Sequence, residues 1–150
     1  MDVCLAVELL EHVAAWEQCL DEFTRVLRPG GALFLTTTNV LCPKQQEFGL
    51  PMYSWYPAPL KRRYERLATT TRPEIASFAT YPAVNWFSFY GLRRRLARGG
   101  CRSYDRFDIV NASKKSALKR FALHVVRVLP PARFVAHVTT PSTWVLAIKS

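Results

Sequence analysis

The stretch that most constrains this chain is RVLRPGGALFLTTTN, residues 25–39. It joins the end of an apolar-striped helix to an apolar strand through Pro29-Gly30-Gly31. Glycine adopts the left-handed conformation that closes the last turn of a helix. A helix, a tight turn and a strand in this order form one step of an α/β fold, in which helices pack on a sheet.

The residues before this turn extend the step to strand, helix and strand. Residues 2–10, DVCLAVELL, form a nearly continuous apolar run, which predicts a strand buried on both faces of a parallel sheet. Apolar residues then recur at spacings of three and four, on one helical face: Val13, Trp16, Leu20, Phe23 and Leu27. Residues 32–38, ALFLTTT, predict a second strand. A right-handed crossover joins the two strands, so we expect them to be parallel.

After residue 40 the pattern becomes irregular. Residues 40–85 are rich in proline and aromatic side chains and predict a lid-like insert with a short basic helix at 58–68. A helix at 88–98, with Ser88 as its candidate cap, then precedes a strand at 102–110.

The remaining residues complete what we treat as one domain spanning 1–150. A basic helical insert is predicted over 111–141; its amphipathic helix covers 114–129 and stops at Pro130-Pro131. A strand at 142–150 closes the fold.

Charge is unevenly distributed along this chain of net charge +10. Residues 1–50 carry three Lys and Arg against seven Asp and Glu, whereas residues 51–110 carry eleven against four. Residues 111–150 carry seven basic residues and no acidic one. A basic region of this kind predicts either an anionic partner, such as nucleic acid or a membrane, or simply a solvated surface.

Cysteine usage and apolar runs bear on the compartment. Cys4, Cys19, Cys42 and Cys101 form no CxxC pair and no spacing typical of zinc sites or disulfide frameworks. The N-terminus lacks the basic region of a signal peptide, and no apolar run approaches the roughly 18 residues that cross a bilayer. We therefore expect a soluble, cytoplasmic protein.

Residues 2–39 resemble the second half of a class I S-adenosylmethionine-dependent methyltransferase. In that family a strand ends in an acidic residue, here Glu8, and a Leu-Glu-His-Val segment follows, here residues 10–13. An amphipathic helix, Leu-Arg-Pro-Gly-Gly at 27–31 and a strand ending near Asn39 complete the match. Thr38 departs from the proline that is common there. The later stretches NWFSFYGLRRRLARGGCRSYDRFDI and TWVLAIKS resemble the family's sixth and seventh strand regions.

The resemblance implies a partial Rossmann-like α/β sheet with strands 4-5-7-6 and flanking helices. The family's glycine-rich turn and its acidic ribose ligand belong to a front half, and none of the six glycines here forms GxG. We therefore expect a fragment, a mis-started reading frame or one part of a split enzyme. The strand at 2–9 would then be a sheet edge, which predicts a partner chain covering it.

Candidate site residues follow the first two strands. Because ligands of open α/β sheets bind at the carboxyl ends of the strands, Glu8, Glu11, His12 and Asn39 are predicted to face one crevice. By resemblance, the backbone at Val7 and Glu8 lies beside the methionine part of S-adenosylmethionine. His12 is the candidate general base, since histidine titrates near neutral pH, and Glu11 and Asn39 are candidates for the substrate pocket. Alternatively, Glu11 and His12 merely cap the next helix.

Aromatic residues of the insert extend the predicted substrate pocket. Tyr53, Trp55 and Trp86 are interpreted as the roof of that pocket, which agrees with the family's habit of placing acceptor-binding segments after strand five. The alternative is a small separate core beneath a long loop. A metal site remains a weaker hypothesis: Glu8 and His12 share an i, i+4 spacing, but Glu8 ends a strand and a third ligand is missing, so no metal is predicted.

The predicted function is methyl transfer from S-adenosylmethionine to an oxygen, carbon or nitrogen of a small molecule. A nucleic-acid acceptor is not expected, because the chain has no Asn/Asp-Pro-Pro-Tyr motif for methylating a flipped base. The alternative is a non-catalytic binding module for a partner or an anionic surface. The helix at 114–129 either lies on an anionic membrane or packs against the sheet with its cations in solvent.

Overall fold

One mixed sheet organises the chain. The computed structural model describes residues 1–44, 47–113 and 115–150. Within them, the strands β1 (Val3–Val7), β2 (Ala32–Thr38), β3 (Cys101–Asp105) and β4 (Ser142–Lys149) pair in the order β1-β2-β4-β3. β1 is parallel to β2, and β4 runs antiparallel to both of its neighbours. The predicted α/β class, the order 4-5-7-6 and the edge position of the first strand are confirmed.

Six helices flank or extend the sheet in the described ranges. They are α1 (Trp16–Val26), α2 (Ala58–Thr70), α3 (Phe89–Arg98), α4 (Arg106–Ile109), α5 (Ala117–Val128) and α6 (Pro130–Val138). Single 3-10 turns lie at Leu10–His12, Tyr53–Trp55 and Pro73–Ala76. None of the described helices combines the length and the apolar character that crossing a bilayer requires.

One face of the sheet, which we call the covered face, carries the main core. Its strands contribute buried residues in register: Ala6, Leu33, Leu35, Val145 and Ala147. The apolar stripe of α1 packs there through Leu20, and α3 packs there through Leu92 and Leu96. The predicted cap of α3 is confirmed, since the hydroxyl of Ser88 accepts a hydrogen bond from the Gly91 N–H.

The opposite face, which we call the open face, has little cover. Val3, Leu5 and Val7 of β1 are 61%, 68% and 61% exposed. The prediction that this strand is buried on both faces is therefore wrong, because α1 and α3 both lie on the covered face. Half-buried side chains continue the open face across the other strands: Phe34, Tyr104, Trp144, Leu146 and Ile148. The guanidinium of Arg106 lies 4.4 Å from the Trp144 ring centroid and shields part of it.

The Pro-Gly-Gly turn ties three strand ends together. Gly30 has a φ of +76°, the left-handed conformation expected from its sequence, and its N–H donates to the Lys149 carbonyl at 2.9 Å. The Arg28 N–H donates to the Met1 carbonyl, and the Lys149 N–H donates to the Gly31 carbonyl. A Cβ at Gly31 would lie 2.9 Å from the carbonyl oxygens of Arg28 and Met1, so only glycine fits there.

Of two predicted boundaries in the second half, one is corrected and one is confirmed. The strand predicted over 102–110 ends at Asp105, because this carboxylate caps α4 by accepting hydrogen bonds from the Phe107 and Asp108 N–H groups. The helix predicted over 114–129 is α5, and Lys114 lies outside the described residues. α5 ends at Val128, directly before the proline pair, as predicted; what the sequence did not predict is that Pro130 and Pro131 occupy the first turn of a further helix, α6, where proline needs no hydrogen-bonded N–H.

Of the two arrangements predicted for the helix α5, packing against the sheet is not the one that the structure shows. The helix contacts α4 and α6 rather than lying on the sheet, and none of its residues is buried. Its apolar stripe, with Leu118 and Phe121, is exposed. The exposed Arg127 ties α5 to α4 instead, since its guanidinium donates to the carbonyls of Phe107 and Val110 at 2.8 Å.

The insert builds its own core. Residues 45 and 46 lie outside the described part. The helix predicted at 58–68 is confirmed as α2, and the side chains of Phe48, Tyr53, Ala68, Ile75 and Ala76 form a second buried cluster. The rings of Phe48 and Tyr53 stack at 4.2 Å between centroids. Tyr53 therefore belongs to a small separate core, which is the alternative to a pocket roof.

Candidate functional site

The site lies where β1 and β2 end side by side. Glu8 directly follows β1 and has a φ of +46°, a strained value for a residue with a side chain. Its N–H donates to the Thr36 carbonyl at 3.0 Å, and the Thr36 hydroxyl donates to Glu8 Oε1 at 2.7 Å. The last strand residues thus hold the Glu8 carboxylate at the crevice between the two strands.

Glu11 occupies the centre of the 3-10 turn after β1. Its side chain is fully buried, and its Oε2 accepts a hydrogen bond from the Thr37 hydroxyl at 2.7 Å. Its Oε1 is buried as well, and no N–H or hydroxyl group among the described residues donates to it. Glu11 does not cap the next helix, because α1 begins without any side-chain cap.

Burial governs the ionisation of Glu11. Removal from solvent, followed by a hydrogen bond with the Glu8 carboxyl and that group's negative charge, raises the pKa of Glu11 to about 8. Within the described ranges, no Lys or Arg forms an ion pair with Glu8, Glu11 or Glu47. The site therefore gathers carboxyl groups without a basic partner in a chain that is otherwise strongly basic.

Asn85 fixes the shape of this turn. Its side-chain amide donates to the carbonyls of Leu10 and Val13 at 3.1 and 2.8 Å. The N–H groups of Val84 and Asn85 both donate to the Glu11 carbonyl, at 2.8 and 3.1 Å. The end of the insert thus clamps the turn that carries Glu11. Sequence reasoning did not identify Asn85, because its partners lie more than 70 residues away.

Two clefts flank this clamp. The first, of about 430 Å³, is lined by Val7, Glu8, Thr36, Thr38, Glu47 and Trp144 among others. The second, of about 440 Å³, is lined by Trp16, Lys61, Asn85, Trp86 and Phe87 among others. Thr38 and Asn85 connect them, since the Thr38 hydroxyl donates to the Asn85 carbonyl at 3.0 Å. Both clefts have the size of small-ligand sites.

The structure brings some of the predicted site residues together. Val7 and Glu8 line the first cleft, and Glu11 contacts Glu8. The exposed ring of His12 lies beside Glu11 and Glu47, with one ligand atom of each within 4.8 Å of the others. Glu47 was not singled out from the sequence, because nothing in the irregular insert links it to the strand ends.

The other predicted residues lie elsewhere. Asn39 is buried and turned toward the end of α6, where its amide donates to the carbonyls of His137 and Thr140 at 2.8 and 2.7 Å. Trp86 lines the second cleft, where Lys61 Nζ lies 4.7 Å from its ring centroid. Trp55 is half exposed on the insert, whose core holds Tyr53.

A buried charge network supports α6 apart from the site. Asp105 Oδ2 bonds with His137 Nε2 at 2.8 Å and accepts from Arg133 Nε at 2.7 Å. Burial acts to raise the pKa of Asp105, but the hydrogen bonds from His137 and Arg133 outweigh it and lower this pKa to about 2. His137 therefore joins α6 to the end of β3.

One protein-family model matches part of this chain. Residues 1–35 match the family model described as a methyltransferase domain. None of the curated proteins matches the chain at a significant level. The family match confirms the methyltransferase resemblance for the segment that carries Glu8, Glu11 and His12.

Solved structures also resemble the chain at low identity. The YcgJ protein from Bacillus subtilis is 14% identical with a TM-score of 0.48, over 99% of this chain and 64% of that one. A methyltransferase in complex with the Haloferax volcanii Trm112 activator is 13% identical with a TM-score of 0.46, over 99% and 54%. The cyclase SpnF is 19% identical with a TM-score of 0.41, over 99% and 50%. The chain thus spans between half and two thirds of the length of these structures.

The family match covers β1 and the turn after it, which carry Glu8 and Glu11. The matched residues end in β2, and the carboxyl ends of β1 and β2 carry the buried acidic group described above. Residues 1–35 are therefore similar to a methyltransferase domain, and they supply β1, α1 and the start of β2 in the four-stranded mixed sheet.

Proposed function

We propose that the chain takes part in methyl transfer from S-adenosylmethionine to a small-molecule oxygen, nitrogen or carbon. One observation carries this proposal: the strained Glu8, which lies in the segment that matches the methyltransferase family, lines the first cleft together with Val7. S-adenosylmethionine would supply an electrophilic methyl group on a sulfonium. Its cationic end suits a cleft whose lining includes the carboxylates of Glu8 and Glu47.

The roles of individual residues follow from their positions. The backbone at Val7 and Glu8 would bind the methionine end of the donor, since both residues line the first cleft. His12 is exposed beside Glu11 and Glu47 and would accept a proton from the acceptor as general base. The fully buried Glu11 would support the substrate pocket by positioning His12 next to it, and Trp86 would contribute an aromatic wall from the second cleft.

The remaining residues act at a greater distance from the clefts. Asn39 supports the pocket by joining the end of β2 to α6, and Tyr53 and Trp55 support it through the insert. All four cysteines are free thiols, which supports the proposal of a cytoplasmic enzyme. A partner chain that pairs with β1 and covers the open face would complete the site.

Calorimetric titration of S-adenosylmethionine into the purified 150-residue chain tests donor binding. We expect saturable binding that Glu8→Gln weakens at least tenfold, because the cation loses its charged partner. Glu17→Gln, an exposed carboxylate on α1, is the matched control and should bind like the parent chain. Absence of binding in the parent chain, or equal binding by both variants, would contradict the proposed donor site.

A second candidate function is binding to an anionic lipid surface through α5. Its exposed apolar side chains include Leu118, Phe121 and Val128, and Lys119 and Arg120 are exposed between them. Residues 111–150 contain no Asp or Glu to oppose an anionic headgroup. An amphipathic helix of this composition lies in the plane of a membrane surface.

Co-sedimentation with vesicles separates this candidate from the first. We expect the chain to pellet with phosphatidylglycerol vesicles but not with phosphatidylcholine vesicles, because the basic residues need anionic headgroups. The double variant Leu118→Glu and Phe121→Glu should stay in the supernatant. Phe78→Glu, at an exposed apolar residue of the insert, is the control. Pelleting that ignores lipid charge or the double substitution would refute the α5 surface.

A further inference from the structure

We infer that Glu11, His12 and Glu47 form a binding site for a divalent transition-metal cation. One ligand atom from each side chain lies within 4.8 Å of the other two. Two of the ligands come from the turn after β1, and the third comes from the insert. The metal site considered from the sequence rested on Glu8 and His12 and lacked a third ligand. In the structure Glu11 takes the place of Glu8, and Glu47 supplies the third ligand.

The buried oxygen of Glu11 is the second, independent observation. No N–H or hydroxyl group of the described residues donates to Glu11 Oε1, although the side chain is fully buried, and its contact with the Glu8 carboxyl is a hydrogen bond only while one of the two carboxyl groups carries a proton. An unsatisfied buried carboxylate oxygen is costly, and native structures almost always satisfy such atoms. The other oxygen is already fixed by the Thr37 hydroxyl at 2.7 Å, a support typical of metal-binding carboxylates.

The charge around the site favours a cation. Glu8, Glu11 and Glu47 lie together at the strand ends, and no Lys or Arg in the described ranges pairs with any of them. The chain has 21 basic residues, so this lack of a partner does not reflect a shortage of cations. A divalent ion would neutralise the group.

The ligands are held by both of the chain's cores. The Glu11 backbone carbonyl accepts hydrogen bonds from the N–H groups of Val84 and Asn85, which fixes the turn. Glu47 precedes Phe48, whose ring is buried in the core of the insert. A bound cation would therefore join the insert to the end of β1.

The ligand set indicates which ions fit. Two carboxylates and one imidazole suit Zn²⁺ or Mn²⁺ better than Ca²⁺ or Mg²⁺, which prefer oxygen alone. Bonds of about 2.1 Å require ligand atoms roughly 3.5 Å apart, and the exposed His12 and half-buried Glu47 can rotate to reach that spacing. Three protein ligands leave a position open for water or substrate. A cation on His12 would engage the nitrogen that a general base needs, so these two roles are alternatives.

Titration of ZnCl₂ and, separately, MnCl₂ into the metal-stripped chain tests the site. We expect one equivalent to bind and to raise the melting temperature, since the cation binds the folded state. No methyl donor is present, so a negative result here leaves the donor titration untouched, and the reverse also holds. Absence of stoichiometric binding by both ions would overturn the inference.

Matched variants assign the ligands. Glu47→Gln and His12→Gln each remove one ligand from a side chain that is not buried, and each should weaken binding at least tenfold. Glu17→Gln should bind like the parent chain. Glu11→Gln should also lose binding, but it places an amide in a buried position and so perturbs folding as well; the two accessible variants therefore decide. Unchanged affinity in both of them would overturn the site.

Discussion

The two faces of the sheet differ sharply although the same strands build them. Ala6 on the covered face of β1 is 2% exposed, whereas its neighbour Leu5 on the open face is 68% exposed. The side chains along β1 are apolar on both faces, so hydrophobicity does not distinguish them. The difference lies in the layer above: α1 and α3 pack on the covered face, and the described residues place no comparable helix pair on the other. Burial here is decided by neighbours and not by the strand's own composition.

Shortening one leucine on each face should give the largest difference in the free energy of unfolding. Leu35→Ala on the covered face should lower the free energy of unfolding by about 3 kcal/mol, because the fully buried side chain leaves a cavity. Leu5→Ala on the open face should cost less than about 1 kcal/mol, since Leu5 is already largely solvated. Urea denaturation of both variants measures the difference. Equal losses would mean that the open face is buried in solution.

A change of pH probes the charge network of the covered side. The pKa of Asp105 is lowered from 3.8 to about 2 in the folded chain, so its stabilisation is complete above pH 4 and lost as pH falls toward 2. We expect a loss on the order of 2 kcal/mol over that window. Denaturation curves at successive pH values measure it. Asp105→Asn should be less stable at neutral pH and should lack this part of the profile; a parallel profile in the variant would assign the loss to other carboxyl groups.

The N-terminal cap of α3 tests a smaller contribution to stability on the covered face. Ser88→Ala removes the side chain that accepts from the Gly91 N–H and should cost about 1 kcal/mol. Ser113→Ala, at an exposed serine outside any helix, is the control and should be nearly neutral. Thermal melts followed by circular dichroism check both. A neutral Ser88→Ala would show that α3 is held on the covered face by packing alone.

The smallest change in stability is expected on the open face. Leu5→Lys should alter the free energy of unfolding by no more than about 0.5 kcal/mol, yet it should reduce self-association, because a charge on an exposed strand opposes edge pairing. Sedimentation velocity over a range of concentrations measures this. Leu118→Lys on α5 is the comparison variant. If it disperses the chain and Leu5→Lys does not, the exposed helix and not the open face causes association.

The sequence predicted those elements whose signals are local. β2 has the predicted bounds, because Pro29-Gly30-Gly31 delimits its start and the apolar run ALFL is unambiguous. Ser88 was identified as a cap because a serine before an apolar-striped helix is a local pattern. The family resemblance then supplied the strand order, which no local pattern determines.

Other features depend on residues far apart in the chain. Pro130 and Pro131 were correctly interpreted as the end of α5, but that they also begin α6 depends on how the residues after them pack. The exposure of Leu5 depends on which face of the sheet the helices cover, and residues 2–10 alone do not determine this. In the site, Glu8, Glu11 and His12 belong to one motif, whereas Glu47 and Asn85 reach them only through the folded insert.

The position of β4 has a consequence for how the chain is made. Of the four strands, β4 is the last to be synthesised, yet it lies between β2 and β3 and pairs with both. Until residues 142–149 have left the ribosome, β2 and β3 have no common partner, and the buried residues of the covered face on either side of Val145 and Ala147 remain unsealed. Most pairings of β4 also span long stretches of chain, which slows folding. The nascent protein therefore exposes its core until this strand arrives, and chaperones that bind apolar segments should act on it during that interval.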